Sequence, residues 1–341
     1  MTSLVLAFVL GAAPAEPFLR LRAVGDVMLG TSVPEGHLPP EDGATLLDAV
    51  KPLLQDADLT FANFEGPLCD NGSTTKCKKG GNCYAFRTPT RYGAYVEAAG
   101  IDLGSTANNH SGDFGEVCRR ETEATLEKHK VAWSGAPGSI GTTTFKGKKV
   151  ALVAFHTSAA CNDVNDLSGA KKLVAKAKAE ADLVIVSFHG GAEGTKATRV
   201  KDGMETYLGE RRGDLKAFAR GVVDAGADLV LGHGPHVLRG MELYKERLIA
   251  YSLGNFATYG RFDLSGPLGV TVVLEASLAE DGRFVGGKLF PVKQEGRGIP
   301  KPDESGKGAR MVKELTQQDF PKTGVHIDEA GGWTLSPTPR G

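Results

Sequence analysis

Neither sign of charge dominates this chain: 40 Lys and Arg stand against 41 Asp and Glu in 341 residues, a formal charge of -1. That balance excludes the basic footprint of a nucleic-acid binder, so an anionic ligand would need cations gathered locally. Long apolar runs are missing as well. A membrane-spanning helix needs roughly 20 apolar residues, and the apolar stretch from Leu4 to Leu10 is far shorter. No linker rich in Pro, Gly or Ser divides the chain, and no internal repeat or low-complexity tract occurs, so one large domain is the expected count. Gly25, Gly232 and Gly254 belong to no Gly-x-Gly-x-x-Gly or P-loop pattern, which removes the common phosphate-cradling loops. They read instead as tight turns that let backbone approach a site closely. Cysteine is scarce: five residues, at 69, 77, 83, 118 and 161, none at the end of a candidate strand. A thiolate metal centre is therefore disfavoured.

What is present begins with Leu4 to Leu10 and the small residues Gly11-Ala12-Ala13-Pro14-Ala15, which read as a signal peptide over 1–15 cleaved before Glu16. The mature chain is then expected outside the cytoplasm, in the periplasm or at the cell surface, with no transmembrane span. Three cysteines crowd into the polar segment 69–83, where a disulfide would staple a loop that has no core of its own; the pairing stays open.

From Phe18 onward, short apolar strands, turns and amphipathic helices alternate, the pattern of an α/β fold with a largely parallel sheet. Strands are expected at 18–24, 59–63, 103–106, 150–155, 183–188 and 229–232, with helices at 45–55, 92–99, 116–130, 170–181 and 215–225. After Gly232 come strands joined by turns, at 237–244, 247–252, 270–277 and 284–292, which read as hairpins and suggest two packed sheets. The main domain is expected over 16–300, with 301–341 a loosely attached appendage carrying one helix near 309–317.

Metal-ligating side chains recur where the apolar runs stop: Asp26, Glu65, Asn109 with His110, His189, then His233 and His236. Parallel strands deliver their carboxyl ends to one edge, so these groups are expected to converge there. Carboxylates supply hard oxygens, imidazoles supply nitrogen and Asn supplies a neutral oxygen, a mixture suited to one or two ions of Mn, Zn or Fe rather than Ca. His37, His129, His156 and His326 have no such company and read as ordinary histidines.

Taken together, Val24-Gly25-Asp26-Val27-Met28-Leu29, Asn63-Phe64-Glu65, Asn108-Asn109-His110-Ser111-Gly112-Asp113, Phe188-His189-Gly190-Gly191-Ala192-Glu193, Gly232-His233-Gly234-Pro235-His236 and Leu253-Gly254-Asn255-Phe256 resemble the CapA family of poly-γ-glutamate capsule proteins, itself similar to calcineurin-like metallophosphoesterases. The resemblance implies a four-layer α/β/β/α sandwich of two mixed sheets. It also implies roles. Asp26 and His236 would bind a first metal, Asn109, His189 and His233 a second, and Glu65 would bridge them. His110 would act as the proton donor to the leaving oxygen, with Asp113, Glu193 and Asn255 supporting from behind. One departure stands out: metallophosphoesterases place a His two residues after the first Asp, where this chain has Met28.

Two classes of function follow. One is an exported metal-dependent hydrolase acting on a phosphoester or on an anionic polymer such as poly-γ-glutamate, with a general metallophosphatase unconnected to capsule as its close variant. The other is a non-catalytic partner that binds or guides polymer in an envelope-bound synthesis complex, which the Met28 departure favours.

Overall fold

The computed structural model describes residues 16–77 and 83–334, so the expected signal peptide at 1–15 lies outside the described residues. The chain enters through β1 (Leu19–Met28) and adds β2 (Leu59–Phe64), β3 (Leu103–Ser105) and β4 (Ala132–Ser134) in parallel, with α1 (Lys51–Gln55), α2 (Gly93–Ala98) and α3 (Gly115–Lys128) in the crossovers. It then starts a second sheet with β5 (Gly141–Phe145), β6 (Lys148–His156), β7 (Asn162–Asp163) and, after α4 (Leu167–Glu180), β8 (Leu183–His189). A two-stranded ribbon of β9 (Glu205–Tyr207) and β10 (Glu210–Gly213) precedes α5 (Leu215–Asp224). Next come β11 (Leu229–His233) and the hairpin β12 (Met241–Tyr244) and β13 (Arg247–Ala250). The first sheet is completed by β14 (Asn255–Thr258), β15 (Val270–Leu278), β16 (Phe284–Glu295), β17 (Ile299–Pro302) and, beyond α6 (Lys307–Asp319), β18 (Gly332–Thr334).

The first sheet runs β17-β16-β15-β1-β2-β3-β4, with β14 also on β1 and β18 on β16; the second runs β12-β13-β11-β8-β6-β5, with β7 on β6. Both are mixed. Each central strand is apolar on both faces because both faces are covered. Leu21, Phe61, Leu152, Ile185 and Leu231 fill the space between the sheets. Ala62 and Phe64 face outward to Leu54, Val96 and Leu126 of the helices on one side. Val153 and Val186 meet Val174 of α4 and Phe218 of α5 on the other. The result is the α/β/β/α sandwich, and a Leu152→Ala cavity in its middle layer is expected to cost about 2–5 kcal/mol.

Three differences from the sequence reading have physical causes. The helix expected over 45–55 begins only at Lys51, because Pro52 lacks an N–H and is tolerated only in a first turn. The hairpin strands do not form a sheet of their own: β12 and β13 extend the second sheet, while β14 and β15 flank β1 in the first. The segment 301–334 is not loosely attached. Ala309, Val312, Val325, Ile327 and Trp333 join the inter-sheet core, and Gly308 has no room for a Cβ, which would stand 2.5 Å from the carbonyl oxygen of Thr271.

Disulfides join Cys69 to Cys118 and Cys77 to Cys83, so the expected staple at 69–83 is present and a second bond ties that loop to α3; Cys161 is free and buried.

Candidate metal centre

Strand register assembles the site. Asp26 on β1 lies opposite Asn63 on β2 and opposite Asn255 on β14, while His189 on β8 lies opposite His233 on β11. These two rows occupy the carboxyl ends of the two sheets, where parallel strands deliver their last side chains. Pairing of β1 is irregular on both sides of Asp26, a bulge that re-aims its carboxylate. Gly25 permits the bulge, since a Cβ there would stand 1.9 Å from the carbonyl oxygen of Gly254. His236 carries a φ of 61°, a conformation uncommon for a residue with a side chain. Its Nδ1 lies 3.0 Å from both Asp26 Oδ2 and Asn255 Oδ1. Nδ1 is thus the nitrogen that donates to them, and Nε2 is the one that would meet a cation once its own proton is displaced.

Asp26 is fully engaged. Its Oδ1 accepts from Asn63 Nδ2 at 2.8 Å and has His233 Nδ1 at 3.4 Å. Burial works to raise its pKa, but the imidazoles of His233 and His236 hold the carboxyl well below the usual range. Glu65 is the opposite case. It is wholly buried, neither oxygen has a hydrogen-bond partner, and burial pushes its pKa well above the ordinary value.

Around Glu65 Oε1 stand three imidazole nitrogens: His236 Nε2 at 3.7 Å, His110 Nε2 at 3.8 Å and His189 Nε2 at 3.9 Å. These separations are too long for hydrogen bonds. Two ligand atoms bound to one ion at ~2.1 Å and a tetrahedral angle lie roughly 3.4 Å apart, so the spacing approaches that of shared coordination. Among the described residues, Glu65, His189 and His236 form the one group of three such donors whose ligand atoms all lie within 4.8 Å of one another. Nε2 of both His189 and His233 is buried without a partner, as is Asn109 Oδ1. Buried polar atoms left unpaired cost about 1–3 kcal/mol each, more when charged, so this concentration fits a divalent cation that the donors would satisfy together. Burial keeps His189 neutral, its pKa well below the ordinary value, which leaves it ready to ligate.

His110 is held from behind. Its Nδ1 lies 2.7 Å from Asp113 Oδ2, which also accepts from the backbone N–H of Phe86; the other Asp113 oxygen pairs with Lys76. Phe86 packs against the imidazole with ring centres 4.2 Å apart and the planes tilted by 35°. In the Asn108-Asn109 pair, Asn108 pins the turn, donating to the Phe64 carbonyl and accepting from His110 N–H. Asn109 lines a cavity of about 710 Å³ together with Lys76, His156, Ser158, Glu193 and Arg212. Glu193 links the two spaces: Oε1 pairs with Arg212 at 2.8 Å and Oε2 lies 3.8 Å from His236 Nε2.

Asp26, Glu65, His110, His189, His233, His236, Asn255 and Glu193 thus share one neighbourhood, with Asp113 behind His110 and Asn109 facing the cavity. His156 corrects the sequence reading. Far from an ordinary histidine without company, it lines the cavity with its ring centre 5.4 Å from that of His189; burial and the charge of Arg212 lower its pKa to about 3. Asn63, Lys76 and Arg212 were not singled out as site residues. Asn63 had a signal in its position two residues before Glu65, whereas Lys76 and Arg212 had none, since only tertiary structure brings them to the site.

The sequence profile of the family described as Bacterial capsule synthesis protein PGA_cap matches residues 20–259. The chain belongs to this family. The match spans the candidate site from Asp26 to Asn255. Among relatives, the Capsule biosynthesis protein CapA of Bacillus anthracis is 29% identical over 259 residues, which is 70% of this chain and 59% of that protein. The PGA biosynthesis protein CapA of Bacillus subtilis (strain 168) is 26% identical over 332 residues, covering 89% of this chain and 79% of that protein. The chain therefore spans less than two thirds of the Bacillus anthracis protein's length. Among solved structures, a putative 5'-nucleotidase from Staphylococcus aureus in complex with alpha-ketoglutarate is 13% identical with a TM-score of 0.43, covering 87% of this chain and 57% of that one. A purple acid phosphatase from yellow lupin (Lupinus luteus) seeds is 12% identical with a TM-score of 0.39, covering 85% and 54%. Likenesses of this size add nothing to the sheet order described above.

Proposed function

We propose that this chain is a metal-dependent hydrolase of capsule polymer synthesis, working outside the cytoplasm on an anionic polymer such as poly-γ-glutamate or on a phosphoester. The observation that carries the reading is the buried group of Glu65, His189 and His236, whose donor atoms face one another without hydrogen bonds. The names of the Bacillus relatives supply the capsule context. Two disulfides support an oxidising location.

A bound divalent cation would polarise the scissile carbonyl or phosphoryl oxygen and make a water acidic enough to attack at neutral pH. The protein's own groups divide the remaining work. Glu65, His189 and His236 would hold the cation, and Asp26 and Asn255 fix the orientation of His236. His110, with Nδ1 held by Asp113, presents Nε2 as the group that gives a proton to the leaving atom. Around the adjoining cavity Lys76, Arg211 and Arg212 outnumber Glu193 and Glu210, and carboxylate or phosphate groups of the substrate would lie there.

The test is turnover of γ-glutamyl polymer and of generic phosphodiesters by protein loaded separately with Mn or Zn. Activity that depends on metal and falls in His110→Ala supports the reading; no turnover of any of these, with His110→Ala silent in cells, refutes it. The second reading, a non-catalytic polymer-binding partner in an envelope complex, is favoured by Met28, whose sulfur accepts from the N–H of Gly30 at 3.3 Å and takes the position of an expected imidazole. Polymer binding by metal-free protein would favour that alternative.

A further inference from the structure

We infer that His156 is a substrate-contacting residue, presenting Nε2–H to an oxyanion group of the substrate in the cavity beside the metal centre, with the Arg211 guanidinium as its cationic partner. The inference rests on the hydrolase reading above and deepens it by naming side chains that hold the substrate.

Strand register places the ring. β6, β8 and β11 are parallel neighbours, Phe155 pairs with Phe188 and His189 with His233, so His156 closes a row of three histidines at the carboxyl ends of the second sheet. It stands edge-on to His189, with ring centres 5.4 Å apart and planes at 65°. Its hydrogen bonds set it apart within that row. Both ring nitrogens of His233 are buried without a partner, whereas Nδ1 of His156 accepts the backbone N–H of Ser158 at 3.0 Å. A ring nitrogen that accepts carries no proton, so the imidazole is neutral and its one hydrogen sits on Nε2. A backbone amide cannot turn over as a carboxamide can, and the main chain therefore fixes this tautomer. Coordination through Nε2 would demand an imidazolate, so His156 is a hydrogen-bond donor and not a ligand.

That donor lacks a good partner within the protein. Its one contact is Thr157 Oγ1 at 3.4 Å, beyond the usual range for a hydrogen bond. The side chain is buried, yet it lines the cavity of about 710 Å³. An acceptor entering the cavity would satisfy an N–H that is otherwise costly to bury. Three cations line the same space. Lys76 is paired with Asp113 and Arg212 with Glu193, whereas Arg211, exposed on β10, forms no ion pair among the described residues. A free guanidinium and a neutral N–H together suit the oxygens of a carboxylate or a phosphate, to which both make charge-assisted hydrogen bonds.

The experiment is equilibrium binding by titration calorimetry, using the full chain loaded with Zn and carrying His110→Ala so that the probe stays intact. The probes are a γ-linked glutamate hexamer and bis(p-nitrophenyl) phosphate; the one that responds tells whether the oxyanion is a carboxylate or a phosphate. His156→Leu and Arg211→Ala, each added to that parent, should weaken Kd about tenfold, the size of a lost hydrogen bond to a charged group. Two conservative variants separate substrate contact from scaffolding. In His156→Gln the amide nitrogen reaches the place of Nε2 and should restore most of the affinity, whereas the shorter His156→Asn replaces only Nδ1 and should not. Affinity restored by Asn and not by Gln would show that the ring serves the Ser158 main chain, and the inference falls. It falls too if His156→Leu, folded by circular dichroism, leaves Kd unchanged, or if neither probe binds the parent. Where His156→Leu does not fold, the Gln and Asn pair decides. Absence of turnover by metal-loaded wild type, with these binding losses intact, brings down the hydrolase reading alone.

Discussion

Glu65→Gln offers a sharp test because the site opposes stability and function at one side chain. In metal-free protein the Glu65 carboxyl is buried with both oxygens unpartnered, so its ionised form bears a desolvation cost with no hydrogen bond to offset it, about 1–3 kcal/mol. Gln keeps the shape and removes the charge. With an unfolding entropy of ~2.1 cal/mol/K per residue, relief of that cost raises the melting temperature of a chain this long by roughly 1.5–4 °C. The pH dependence has a definite sign. Burial raises the folded-state pKa above the ordinary 4.5, so the carboxyl destabilises the metal-free fold as pH climbs from 4.5 toward the folded value. The variant's advantage is therefore absent below pH 4.5 and grows above it. Added metal reverses the order, because a ligand at 100 times its Kd stabilises wild type by about 2.7 kcal/mol, or roughly 4 °C, and does nothing for a variant that cannot bind it. Differential scanning calorimetry with chelator and then with Zn checks both halves. A variant that melts below wild type in chelator would falsify the reasoning, because it would mean Glu65 stabilises the empty site.

Three further outcomes follow from the same geometry. His110→Ala should lower kcat by about 10²–10⁴ with metal content unchanged, whereas an equal loss of metal would make His110 a ligand. Burial works to lower the pKa of His236, but Glu65 and Asp26 raise it to about 10, so metal binding near neutral pH should release protons and affinity should rise with pH toward that value; identical heats in buffers of different ionisation enthalpy would contradict this. Replacing Cys69 and Cys118 by Ser opens a bond with a sequence separation of 49, which should cost about 4 kcal/mol, read as a fall of roughly 6 °C in thermal melting; an unchanged midpoint would show that the bond adds no stability.

The strand ends were legible because both faces of β1, β2, β8 and β11 are buried, so their apolar runs stop abruptly at Asp26, Glu65, His189 and His233. Register is a tertiary property and was not. The sequence could not show that Asn63 would lie opposite Asp26, or that His156 at the end of β6 would stand beside His189. The short edge strands β4 and β5 escaped notice because three residues at Ala132–Ser134 and the alternation in Gly141–Phe145 carry little apolar signal. The helix near 309–317 was visible from its spacing, but its docking depends on Gly308 and on β15, far away in sequence. Lys76 and Arg212 belong to no motif and reach the cavity only through a loop and a ribbon.

Anomalous diffraction from crystals soaked in Zn tests the central claim most directly. The account predicts a strong peak bounded by Glu65 Oε1, His189 Nε2 and His236 Nε2. A difference map with no peak there, or with peaks only at other side chains, would contradict it.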